Sequence, residues 1–325
     1  MQDLGVDIIE QDIADLDMSL FEMLISDKTT EKYILWGTDV YAHLGERYAP
    51  DQQILPELIL GSRTRIIQPR VSKSAAEQQE RTRKKAEVFT PSWVVNMMNN
   101  HCDAVWFGRD GIFNKEDGEH WIVNEEPVPF EKKDDWKKYV DSRRLEITCG
   151  EAPYLVSRYD AATGEMIPIK ERIGILDRKL RVVSENTADE KDWLKWAYRA
   201  LEATYGYEFQ GDNLLIARVN LLATFIDYMV EKLEKRPTVK QLNKAANIIC
   251  WNIWQMDGLT GTIPFGKAPK EEEEDLQMSF FDLGFEDFGP NEVEETADNE
   301  LDQECKIYDW RARKSCTYNS FRRRV

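Results

Sequence analysis

The spacing of apolar and polar positions divides the chain into helix-like and strand-like stretches. In the first 71 residues, SLFEMLISD (19–27) and TTEKYILWGTDVYAHLGERYA (29–49) carry apolar residues at helical spacing, which predicts short helices and loops. Residues 72–86 are helix-forming and polar all round, which predicts an exposed helix. After Phe89-Thr90-Pro91 an apolar face resumes over 92–100, and Pro91 suits a first helical turn. Residues 107–142, rich in Gly, Asp, Lys and Trp, read as an insertion of loops.

The second half has a clearer rhythm. Residues 145–148 are strand-like and run into a turn at Cys149-Gly150. Residues 189–204 form an amphipathic helix, and 205–235 begin as a short strand ending near Glu208 and continue as a long helix. Residues 247–251 (NIICW) are again β-like. Strand, helix, strand, helix, strand at this spacing is the pattern of an open parallel α/β sheet. The expected organisation is a helical region over 1–71, an α/β domain over 72–266 with the insertion near 107–142, and an acidic, disordered tail over 267–325.

Composition narrows the class. Hydrophobic residues make up 42% of the 325, enough for a real core, and the length fits about two domains. No run approaches the 18 or more apolar residues of a membrane span, and the acidic N-terminus lacks the basic start of a secretory signal. The five cysteines are widely spaced without a CxxC pair, so neither a disulfide framework nor a zinc ribbon is expected. The expectation is a reduced, cytoplasmic protein without a membrane partner. His43, His101 and His120 lack ligand spacing, so no metal site is expected. The net charge of −17 is unevenly placed. Residues 271–304 hold 15 acids and no base, and the rest of the chain is near neutral, with 45 acids against 43 bases. Residues 63–86 carry eight bases against two acids, a local basic face able to meet phosphate.

In an open α/β sheet, ligands bind at the carboxyl ends of the strands. The first strand-to-helix turn must let backbone N–H groups approach a ligand, and Cys149-Gly150-Glu151-Ala152 supplies small residues there. Glu208 ends the second strand, where a carboxylate can accept both hydroxyls of a ribose. Asp257 follows the third, where an acid can accept from an adenine amino group. Together they outline a nucleoside-binding cleft.

Four segments, in order, resemble the S-adenosyl-L-methionine half of the adenine-N6 DNA methyltransferases of restriction–modification systems. Ala86-Glu87-Val88-Phe89-Thr90-Pro91 resembles G-x-F/V-F/Y-T-P, which lies against the methionine end of the cofactor. Glu146 through Leu155 (EITCGEAPYL) resembles D-P-A-C-G-S-G-x-F-L, the first cofactor loop. Gly206-Tyr207-Glu208 with Ala217-Arg218-Val219-Asn220-Leu221 resembles the second motif, whose acid grips the ribose. Asn252-Ile253 through Asp257-Gly258-Leu259 resembles N-I-x-x-x-D-x-L, whose acid reads the cofactor's adenine. The likeness spans roughly residues 70–265, and 103–185 look like proteins labelled restriction endonuclease subunit M. It implies a partial Rossmann-like methyltransferase sheet, S-adenosyl-L-methionine as cofactor, DNA as partner, and Phe89, Thr90, Pro91, Glu146, Thr148, Cys149, Gly150, Glu208 and Asp257 as cofactor-binding residues.

This chain departs from the family in two ways. Glu151 and Ala152 stand where the first loop has Ser and Gly, and Ile147 replaces Pro. The catalytic tetrapeptide D/N/S-P-P-Y/F/W, which holds the target amino group beside a flipped base, is absent: none of the 12 prolines is followed by another. No catalytic residue is therefore assigned. Three readings follow: a truncated enzyme, one needing a second methylase or restriction subunit, or a non-catalytic relative that binds DNA, a partner or the sliding clamp. For the last, Gln277-Met278-Ser279-Phe280-Phe281 resembles the Q-L-S/D-L-F peptide that docks on the replication clamp, through Gln277, Phe280 and Phe281.

Overall fold

In the computed structural model, which describes residues 10–61, 66–73, 90–267 and 304–322, the chain opens with helices α1 (Glu10–Leu16) and α2 (Met18–Leu24). Asp17 between them caps α2 by accepting the Ser19 N–H at 2.8 Å. The one-turn α3 (Pro56–Ile59) ends this region, and Leu24, Trp36 and Ile54 are fully buried in the main core. Residues 29–49, expected as short helices and loops, hold no α-helix: they are mostly turns and bends with two three-residue 3₁₀ turns and isolated bridges at Tyr33 and Leu35. Gly37 and Gly45 hold positive φ, and Ile34 donates its N–H to Ile25 O and accepts the Ile54 N–H instead of joining a helix.

Helix α4 (Ser92–Phe107) begins directly after Pro91. The stretch read as loops contains a hairpin, β1 (Asn114–Asp117) with β2 (His120–Val123), and the short helix α5 (Asp135–Val140). Phe113, Trp136 and Tyr139 bury their rings in the main core, so 107–142 is part of that core rather than a separable excursion.

Strand β3 (Arg144–Ile147) is followed by α6 (Ile175–Asn186), α7 (Glu190–Glu202), β4 (Thr204–Glu208), α8 (Gly211–Leu233), α9 (Val239–Asn252) and β5 (Ile253–Gln255). The three strands form a parallel sheet with β4 in the centre, in register Leu145 to Tyr205, Ile147 to Tyr207 and Glu208 to Gln255. Residues 247–251, expected as a strand, are the end of α9. The capping box of Thr238 and Gln241 starts that helix, and Leu242, Ala245, Ala246 and Ile249 give it one buried face. The third strand begins two residues later, at Ile253.

Seventeen of the 23 residues of α8 are buried, which explains why it is apolar all round. It is long and apolar enough to cross a membrane, yet 83% of its most apolar stretch is packed inside the protein. The fully buried Arg218 on α8 donates to the carbonyls of Ile253, Leu24 and Ser26, tying the N-terminal region to β5. Gln255 finishes that seam: Leu35 N–H donates to its Oε1, and its Nε2 donates to Leu35 O and Phe209 O, all at 2.8 Å.

Residues 304–322, placed in the disordered tail by composition, form β6 (Lys306–Asp309), β7 (Lys314–Thr317) and α10 (Tyr318–Arg322). Ile307 and Tyr318 pack on the sheet face made by Tyr205, Tyr207 and Trp254. These alternating apolar residues are concealed from a compositional view by the acids before them. Residues 268–303 lie outside the described residues. Overall the fold is mixed helix and strand with short sheets, and among the described residues the parallel sheet has three strands rather than a full doubly wound set.

Candidate cofactor-binding site

The turn after β3 has an unusual backbone. Thr148, Gly150 and Ala152 all have positive φ, at 53°, 54° and 67°. For an L-residue this conformation costs about 1–2 kcal/mol, so its neighbours must hold it. Cys149 N–H donates to Tyr207 O at 2.8 Å and Ala152 N–H to Cys149 O at 2.7 Å. Cys149 is buried against Gly206, where a Cβ would come within 3.2 Å of its Sγ. Burial, together with the Glu146 and Glu208 carboxyls, pushes its thiol well up, which suits packing and not nucleophilic attack. Thr148 is exposed, its hydroxyl donating to Ile147 O.

Glu208, at the end of β4, is 6% exposed. Its Oε2 accepts the Gly150 N–H at 2.9 Å and its Oε1 the Gln210 N–H at 3.1 Å. Burial pushes its carboxyl up, and those two N–H groups oppose the shift by favouring the charged form. Asp257 sits one residue beyond the β4–β5 pairing, since Met256 N–H donates to Glu208 O at 3.1 Å. It is half-buried, and its Oδ1 accepts the Leu259 N–H at 2.8 Å in an Asx turn. Gly150, Glu208 and Asp257, chosen from sequence, therefore all lie at the carboxyl ends of three adjacent parallel strands, with Gly150 and Glu208 in direct contact.

Glu146, on β3, has its carboxyl pushed well up by burial, against the N–H groups of Tyr154 and Leu155. Pro91 caps α4, where the Ser92 N–H donates to Asp160 at 2.9 Å, and Thr90 is half-buried beside it. Asn99, two turns on, donates to Tyr154 O and Ile173 O, holding α4 against the chain that follows the turn. Phe89, the basic segment 81–85 and Gln277, Phe280 and Phe281 lie outside the described residues.

Glu151 explains one departure of the loop. It points inward, accepting the Arg70 N–H at 2.7 Å and the Tyr159 hydroxyl at 2.9 Å, while Asn220 donates to its carbonyl. Glu151, Gln255 and Arg218 position the site; the sequence marked Glu151 only as a departure of the first loop and Arg218 only as part of the second motif, and did not mark Gln255. A polar residue inside an apolar run, as in IWQM and LLIARVNLL, was the available signal.

Compared with known proteins, the chain matches no family model, no curated protein and no solved structure.

Proposed function

We propose that this chain is the S-adenosyl-L-methionine-binding part of an adenine-N6 DNA methyltransferase of a restriction–modification system, with the catalytic step completed by polypeptide outside these 325 residues. The observation that carries the proposal is the placement of Gly150, Glu208 and Asp257 at the carboxyl ends of adjacent parallel strands, with Gly150 bonded to Glu208. The donor set fits the cofactor in kind. A Cβ built on Gly150 would meet nothing within 4 Å, so there is open space in front of the turn for a ligand. Carboxylates flank it on β4 and just past β5, matching a ribose diol and an adenine amino group.

When bound, the cofactor supplies an electrophilic methyl group. Glu208 would accept from the ribose hydroxyls through the lone pairs left beside its two backbone donors. Asp257 would accept from the adenine amine, fixing the orientation of the nucleoside. Thr90 and Pro91, at the start of α4, would lie toward the methionine end. Nothing in the chain is assigned to the target base, because the proline-proline tetrapeptide is absent.

One face of the sheet favours completion from outside. Leu145 and Ile147 on β3 are 43% and 64% exposed on the face they share with their register partners Tyr205 and Tyr207, which Ile307 and Tyr318 cover. Parallel sheets are ordinarily buried on both faces, so further polypeptide would cover this face beside β3. Calorimetric titration with S-adenosyl-L-methionine tests the cofactor assignment: saturable binding that is weakened in Asp257→Ala is expected. Unchanged affinity in that variant would remove Asp257 from the site, and no binding to the native chain would refute the cofactor reading.

A further inference from the structure

A groove of about 860 Å³ is lined mostly by exposed or half-buried residues of α7. Lys191, Lys195 and Arg199 line it from α7 and Lys244 from α9, with Trp196 among the lining side chains. Residues four apart advance about 6 Å along a helix and share a face, so the three α7 cations form one row.

The acids in the groove are already committed. Glu190 is held by Lys235 at 3.0 Å and Gln241 at 3.2 Å, and Glu202 by Arg199 at 3.0 Å. Lys191, Lys195 and Lys244 are exposed, and among the described residues no carboxylate lies within the 4.0 Å of an ion pair with any of them. Two of them lie over rings: Lys195 Nζ is 5.6 Å from the Trp196 centroid and Lys244 Nζ 4.1 Å from that of Tyr198. The uncompensated charge of the groove is therefore positive, on a chain whose net charge is −17.

We propose that this groove binds a nucleic-acid strand, its phosphates along the lysine row and a base against Trp196. A row of cations beside an aromatic ring is the means by which single strands are held without sequence preference. An acidic peptide would satisfy the lysines but would make no use of the half-buried indole, which is braced edge-on by Trp136 at 4.8 Å. The inference does not rest on cofactor binding, since none of its residues belongs to the turn after β3, to Glu208 or to Asp257.

Fluorescence anisotropy of a labelled single-stranded oligonucleotide, titrated with the full chain at increasing salt, tests it. The comparison is with the triple variant Lys191→Gln, Lys195→Gln and Lys244→Gln, whose exposed positions leave folding intact, as a circular dichroism melt would verify. Binding is expected to weaken at least about tenfold near 50 mM salt, and the slope of log affinity against log salt to fall by about 2, as for three lost phosphate contacts. Equal affinity and slope in the two proteins would overturn the proposal. So would displacement of the oligonucleotide by polyglutamate at equal charge concentration, which would make the groove an acidic-peptide site.

Discussion

The Gly150 N–H donates to Glu208 Oε2 at 2.9 Å, so one carboxylate joins the turn after β3 to the end of β4. Its other oxygen holds the Gln210 N–H at the start of α8. Glu208 is thus a structural clamp as well as a candidate ligand group, and the two roles need separating. Glu208→Ala would leave two buried N–H groups without their acceptor, a loss of about 2–4 kcal/mol in urea-induced unfolding. Glu208→Gln retains one acceptor oxygen and is expected to lose less stability while still weakening cofactor affinity.

Gly150→Ala separates affinity from stability most directly. The new methyl meets no protein atom within 4 Å, so the only folding cost is the backbone at φ +54°, about 1 kcal/mol. It projects into the space assigned to the cofactor. Calorimetry should record affinity down about tenfold or more, equivalent to about 1.4 kcal/mol, beside a small shift in the urea midpoint.

Asp177, fully buried on α6, accepts the Ser157 N–H at 2.7 Å. Burial pushes its carboxyl from 3.8 to about 6, although Arg172 pulls in the opposite direction. The folded state therefore holds this proton more tightly than the unfolded state does. Its contribution to stability is complete below about pH 4 and is lost as pH rises through about 6, a change on the order of 3 kcal/mol. Asp177→Asn should abolish that component, so the stability of the variant relative to the native protein should improve between pH 4 and pH 7 in paired urea titrations.

Tyr318 tests whether the C-terminal hairpin is integral to the sheet. Its ring is 7% exposed, with centroids 6.0 Å from Tyr207 and 5.7 Å from Trp254. Tyr318→Ala should cost about 3 kcal/mol, read as a lowered thermal midpoint.

Leu145→Asp with Ile147→Asp probes the exposed face of β3. Exposed side chains away from packed features contribute within about 0.5 kcal/mol, so the double variant of the isolated chain should melt close to the native temperature. A large destabilisation would mean that this face is already covered.

Much of the α/β core was legible along the chain, because its signals are local. Residues 145–148, 189–204 and 205–235 carry strand and helix periodicity that survives into β3, α7, β4 and α8 nearly in place. The positions of Gly150, Glu208 and Asp257 were legible for the same reason: Glu208 ends β4, Gly150 and Asp257 follow β3 and β5 within three residues, and strand ends are marked by a break in pattern. Tertiary structure decided what depends on partners distant in sequence. The run NIICW is helical because Thr238 caps it and one face packs inward, although its β-branched residues favour a strand in isolation. Residues 29–49 form no α-helix, and Leu35 among them is instead bonded to Gln255, 220 positions away. Residues 304–322 joined the sheet because Tyr205, Tyr207 and Trp254 offered an apolar face that no composition window could reveal. Periodicity records how a segment would bury its own face, whereas the choice between helix, strand and cover is made by the free energy of burying that face against surfaces elsewhere in the chain.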